Sequence, residues 1–188
     1  LRDGLDELTA LRHAEFRDWP YLYDGTAGYE AEYLATFAEA DGAIIVAAFD
    51  GDQMVGAATA SPLAGHTDDF VPLFEAHGFD PQTVFYCGES VLLGTYRGRG
   101  VGHAFFDHRE AHARKLNAEG ASFGVATFCG VVRADDDPRK PRGYRPLDGF
   151  WRKRGYEPVE SLKGKYNWRE IGDDCETSHT MQFWMRAL

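Results

Sequence analysis

Apolar residues recur along this chain with two periods. Leu5, Leu8, Leu11 and Phe16 follow one face of a helix, Asp3 or Asp6 stands in place to cap it, and Pro20 and Gly25 break it. Tyr29, Tyr33, Leu34, Phe37 and Ala38 repeat the helical spacing as far as Gly42, a stop signal. Ala43 to Phe49 is apolar and β-prone. Beyond the turn signal Asp50-Gly51-Asp52 a second such run covers Gln53 to Ala60, so the pair predicts a hairpin. Pro62, Pro72 and Pro81 mark residues 61–82 as a connection with one short amphipathic helix around Phe70 to Phe74. Thr83 to Leu93 predicts a long strand, Val101 to Leu116 a helix closed by Asn117 and Gly120, and Ala121 to Val132 another strand. Residues 133–147, rich in Pro, Asp and Arg, predict an exposed loop that could act as a lid. Leu147 to Arg154 then forms a short helix stopped by Gly155, and Pro158 to Trp168 and Thr177 to Arg186 form two final strands. The order is that of a mixed α/β layer architecture, one domain spanning 1–188.

Length and composition narrow the class. A chain of 188 residues with 44% hydrophobic residues suits a single sizeable core. A formal charge of −10 argues against nucleic acid as a partner, and is compatible with a cationic or amine-bearing one or with plain solubility. Cys87, Cys129 and Cys175 are widely spaced and form no CxxC pair. They indicate neither a disulfide framework nor a thiolate zinc site, and read as reduced thiols of a cytoplasmic protein. No apolar run has the length of a membrane span and no signal-peptide pattern opens the chain, so no membrane association is expected. The chain starts at Leu1 rather than methionine, and a short upstream piece, possible as a first strand, is expected.

The strongest chemical signal is Tyr96-Arg97-Gly98-Arg99-Gly100-Val101-Gly102, between a predicted strand and a predicted helix. Glycines permit close backbone approach, and a helix N-terminus offers unpaired N–H groups and a positive dipole end, so this stretch suits a phosphate or pyrophosphate. A P-loop would need GxxxxGK[ST], which is absent. A dinucleotide fingerprint would need GxGxxG, but Gly98, Gly100 and Gly102 give GxGxG with His103 next. The following strand also ends in Arg133 rather than an acid. Arg97-x-x-Gly100-x-Gly102 instead resembles the R/Q-x-x-G-x-G/A signature of the GCN5-related N-acetyltransferase (GNAT) family. The element order resembles the family's throughout, lacking only the first strand. Phe150-Trp151-Arg152-Lys153-Arg154-Gly155-Tyr156 resembles its aromatic-x-x-x-Gly-aromatic helix ending.

The resemblance implies an acyl-CoA N-acyltransferase fold, a central mixed, mostly antiparallel sheet flanked by helices, with acetyl-CoA as cosubstrate. It places the pyrophosphate on the backbone of Gly98, Arg99, Gly100, Val101, Gly102 and His103, with Arg97 adding positive charge. The pantetheine arm would run along Ser90, Val91 and Leu92. Acetyl transfer to an amine is helped by a base. Glu89 is the candidate, because an acid within Tyr86 to Leu93 is costly unless it works, and many members carry a glutamate there. The family's usual tyrosine acid falls at Trp151, which cannot give up a proton. Tyr144 and Tyr166 are therefore the candidate acids, unless the thiolate leaves without one.

The family's acceptor pocket maps to Trp19, Tyr21, Tyr23, Tyr29, Tyr166, Trp168 and Trp184, with Asp18, Asp24 and Glu30 near. Aromatic faces and carboxylates suit an amine, whether a small molecule or a peptide amine. A homodimer is compatible with the resemblance. His108 and His112 have metal-pair spacing but no third ligand, so no metal is expected, and Cys87 and Cys129 read as core residues rather than nucleophiles. The competing reading is a catalytically silent CoA-binding domain, a sensor or interaction module of the same fold.

Overall fold

The computed structural model describes residues 2–25, 40–66 and 70–188. Helix α1 (Arg2–Phe16) buries Leu8 and Leu11. It begins at Arg2, so Asp3 and Asp6 lie inside the helix rather than at its cap. The second predicted helix, with Tyr29 and Glu30, lies outside the described residues. The predicted hairpin forms from β1 (Ile44–Asp50) and β2 (Gln53–Pro62), closing at Asp50 opposite Gln53 with Gly51 at φ +59°. A short helix α2 (Val71–Ala76) precedes β3 (Val84–Leu92). Then come α3 (Val101–Ala118), β4 (Val125–Val131), α4 (Asp148–Lys153), β5 (Glu157–Trp168) and β6 (Thr177–Ala187).

The six strands form one sheet in the order β1-β2-β3-β4-β6-β5, antiparallel everywhere except between β3 and β4. That parallel pair needs a crossover, which α3 supplies. Val84, Phe85, Tyr86 and Cys87 are buried in succession because the centre of the sheet is covered on both faces. On one face Phe85 and Cys87 pack with Phe106, Phe128, Tyr156 and Trp184 under α3 and α4. On the other, Val84 and Tyr86 pack with Phe70, Phe74, Leu162 and Phe183. Gly56 lets α3 sit close: a Cβ there would lie 2.7 Å from Leu92 Cδ1 and 3.1 Å from Phe105 Cζ.

Two irregularities shape the centre. Opposite β2 the register slips by one residue between Ala58↔Ser90 and Ala60↔Cys87, so β3 bulges at Gly88-Glu89 against Thr59. Toward β4, pairing is confined to Val84↔Val125, Phe85↔Ala126 and Tyr86↔Thr127, after which the strands part.

The 133–147 segment is a loop as expected, but it is pinned rather than merely solvated. Arg133 donates from Nε to Pro20 O (2.6 Å) and from Nη2 to Tyr21 O (2.9 Å), and Arg133 and Arg139 both pair with the buried Glu170. Two charges of the loop, Arg133 and Arg139, therefore hold three segments together.

Candidate active site

Where β3 and β4 part, a cavity of about 1010 Å³ opens, floored by Phe105 and Phe106 of α3 and bordered by Glu89 to Leu92. At one end lies the glycine turn. Gly98 and Gly100 adopt φ +75° and +87°, and a Cβ on either would project into open space. Ala104 N donates to Gly100 O (3.1 Å), which leaves the first-turn amides of Val101, Gly102 and His103 without intrahelical acceptors. Arg97 donates to Leu92 O (3.3 Å) and pairs with Glu15, while Arg99 lies over the Tyr96 ring at 5.0 Å with no acidic partner among the described residues. The Tyr96 hydroxyl in turn donates to Asp50 (2.6 Å), tying the turn to the hairpin.

Glu89 sits at the bulge with its side chain 6% exposed. Its backbone N donates to Thr59 Oγ1 (3.2 Å) and its carbonyl accepts from Arg109 Nη1 (3.1 Å). Oε2 is paired with Arg12 of α1. Oε1 is buried and has no hydrogen-bond partner among the described residues. An unsatisfied buried carboxylate oxygen demands a reason, because desolvating it without a partner costs about 1–3 kcal/mol.

The description of the acetyltransferase (GNAT) family matches residues 8–128, more than half of the chain and the whole stretch from α1 through the glycine turn to β4. The chain belongs to the GNAT family. Solved structures agree on the fold. An aminoglycoside 6'-N-acetyltransferase from Enterococcus faecium superposes with a TM-score of 0.58 at 17% identity, covering 100% of this chain and 92% of that one. An Arabidopsis thaliana NAA60 in complex with a bisubstrate analogue gives 0.60 at 12%, covering 99% and 94%. An aminoglycoside 6'-N-acetyltransferase complexed with coenzyme A gives 0.57 at 17%, covering 97% and 89%. None of the curated proteins matches the sequence.

This GNAT enzyme uses acetyl-CoA as its cosubstrate, and the residues present fit it. The open left-handed glycines and free first-turn amides suit a pyrophosphate, and the unpaired side of β3 suits an extended amide-bearing arm. Tyr144 lines the cavity, half-buried, its ring edge-on to Trp19 at 6.1 Å. Burial, with Asp148 nearby, raises its phenol above the usual value of 10, and Arg97 opposes the rise. Tyr166 lines the same cavity from β5, 6.0 Å from the Phe70 ring. Trp19, Tyr21, Tyr23 and Trp168 also reach it, with Trp168 Nε1 donating to Tyr21 O (3.1 Å).

Not every expected residue gathers there. Trp184 is a core residue, wedged against Trp151 and stacked near Phe128, and Asp24 is engaged outside the cavity by Arg17 and Arg169 at 2.9 Å each. Cys87 and Cys129 border the cavity as free thiols. Burial raises both, Cys129 to about 12 despite the Tyr86 hydroxyl 3.6 Å away, which disfavours a thiolate nucleophile. His112 binds Gly42 O (3.1 Å), and no metal-binding group occurs among the described residues. The sequence reading missed Arg12 and Arg109. For Arg109 a signal existed: with Phe105, Phe106 and Ala113 it shares the buried face of α3, where a cation interrupts the apolar stripe.

Proposed function

We propose that this enzyme moves the acetyl group of acetyl-CoA to a primary amine by direct attack, with Glu89 as general base. The carrying observation is that Glu89 lines the cavity at the bulge and that its Oε1 is unpartnered among the described residues. Arg12 anchors the other oxygen and so fixes the direction in which Oε1 accepts a proton. The glycine turn and the Ser90–Leu92 backbone receive the cosubstrate, and the reacting end lies near Cys87 to Glu89, where the two strands close. Backbone N–H groups near Val91 polarise the thioester carbonyl. Tyr144 and Tyr166 are the proton donors to the departing sulfur, Tyr144 favoured by a phenol that stays protonated through neutral pH. The acceptor is a small-molecule or peptide amine, and the ring faces of Tyr21, Tyr166 and Trp168 support one with an apolar or aromatic body.

A thiol-release assay over a panel of arylalkylamines, polyamines, aminoglycosides and peptides tests this reading together with Glu89→Gln. The variant is expected to lose about 10²-fold or more in kcat/KM while binding acetyl-CoA normally. Saturable acetyl-CoA binding without turnover of any amine would instead favour the silent CoA-binding domain. A Glu89→Gln variant with its full rate across pH would remove the base assignment.

A further inference from the structure

Arg109 is 1% exposed. Its donors are largely spent on backbone oxygens: Nε on Phe105 O (3.2 Å), and Nη1 on both Thr59 O (3.3 Å) and Glu89 O (3.1 Å). Its guanidinium carbon stands 4.7 Å from the Phe106 ring centre. No carboxylate among the described residues pairs with it, and Glu110 beside it is turned to Arg114, Arg154 and Arg186. Nη2 has no hydrogen bond among those residues, and the side chain borders the cavity next to Cys87 and Glu89. A buried cation without a counter-ion is costly. An aliphatic side chain would fill the same place between Phe105, Phe106 and the sheet at no such cost.

Two carbonyls explain part of the choice. Thr59 O and Glu89 O lie on the two sides of the register slip, and one guanidinium nitrogen joins them. A neutral donor could do that as well; the positive charge needs its own reason. Its effect is visible on Cys87, whose thiol burial pushes up and Arg109 pulls down.

We propose that Arg109 is a positioning residue for acetyl transfer, bracing the Gly88-Glu89 bulge and holding a positive charge behind the reacting end of the groove. This rests on the placement of acetyl-CoA given under the proposed function. In the transfer, the amine lone pair forms a bond to the thioester carbonyl carbon and the C=O π pair moves onto oxygen. Its return re-forms the carbonyl and breaks the C–S bond, and the sulfur leaves with the C–S bonding pair. The amine proton passes to Glu89, and a proton from a tyrosine or water completes the thiol, so amine and thioester give amide and free thiol. Negative charge resides first on oxygen and then on sulfur, and a fixed cation nearby favours both. The other charged or titratable groups at that point, among the described residues, are Glu89 with Arg12, Cys87 with the Tyr156 hydroxyl, and Glu110 beyond Arg109.

The test uses the full chain with Arg109→Lys, Arg109→Gln and Arg109→Met, each checked for a cooperative melt. Arg109→Gln and Arg109→Met are expected to lose about 10²-fold in kcat with the acetyl-CoA dissociation constant changed by less than about threefold. Arg109→Lys, which keeps the charge but loses the fork, should recover about tenfold of that loss. Independently of any acceptor, the thiol of bound CoA, titrated by thiolate absorbance against the free protein, should ionise about one pH unit lower on the wild type than on Arg109→Gln. Equal thiol titration in the two proteins overturns the inference, as does a loss confined to cosubstrate affinity. A shifted thiol without turnover of any amine would leave the inference standing and sink the proposed function. Absence of CoA binding by the wild type overturns both.

Discussion

Tyr144 and Gly100 each do something that the neighbouring residue types cannot. A phenol raised above 10 by burial stays protonated throughout the neutral range, as the proton donor proposed for Tyr144 must. Tyr144→Phe is therefore expected to lower kcat about tenfold at pH 7–8 with acetyl-CoA affinity unchanged, checked by steady-state kinetics and calorimetry. Gly100, at φ +87°, tolerates no β-carbon without strain of about 1–2 kcal/mol, and the added methyl would project into the open space over the turn. Gly100→Ala should cost that much stability and weaken acetyl-CoA binding more than tenfold, read by thermal melts with and without ligand. At this scale Glu89 was legible in the sequence because an acid interrupts an apolar strand. Trp184 packs in the core rather than the acceptor pocket, because both faces of β6 are covered and alternation along it does not tell the cavity side from the core side. Arg109 carries a weaker signal, since an arginine on a helix is ordinarily a surface residue and only its spacing with Phe105 and Ala113 sets it on the buried face.

Among the elements, the wall of the cavity opposite the glycine turn is held by one carboxylate. Glu170, 4% exposed, joins Arg133 and Arg139 of the 133–147 loop and stands 3.4 Å from His179, which stacks on Trp168 at 3.7 Å. Arg133 in turn holds the backbone of Pro20 and Tyr21. Glu170→Gln is expected to cost about 2–3 kcal/mol, since one of the arginines is half exposed, and to raise KM for the amine more than for acetyl-CoA. Limited proteolysis should then cut first within 133–147. Burial lowers the His179 value below 6.5, so the unfolded chain takes up that proton first and stability falls as pH drops below 6.5. Burial alone would raise Glu170, but its two arginines outweigh burial and hold it below 4.5. Its contribution is present above pH 4.5 and lost beneath it. Melting temperature should thus be flat between about pH 7 and 8 and fall in two stages on acidification, the lower one missing in Glu170→Gln. The strands and helices that frame this wall were readable from periodicity. The pinning was not, because Glu170 lies more than 30 residues in sequence from the arginines it holds and no local pattern links them.

For the molecule as a whole, β1-β2-β3 and β4-β6-β5 meet in a short parallel ladder, with α3 beneath it. A ligand seated between the halves and against α3 stabilises all of these parts together. At a hundred times its dissociation constant it should add about 2.7 kcal/mol, or about 5–11 °C in melting temperature for a chain of this size, measured by calorimetry. The sequence made the halves legible as element order but not where they separate, since the run from Thr83 to Leu93 reads as one uninterrupted strand. The separation has a further consequence. The free side of β3 is in effect an edge strand, the kind of surface through which proteins stick to one another, yet it is enclosed within the molecule. Phe105 and Phe106 of α3 line its floor, and Tyr144 of the 133–147 loop and Tyr166 of β5 line its sides. Under the proposed placement of acetyl-CoA, the amide-bearing arm of the cosubstrate pairs with this edge, so binding covers a strand that would otherwise be adhesive.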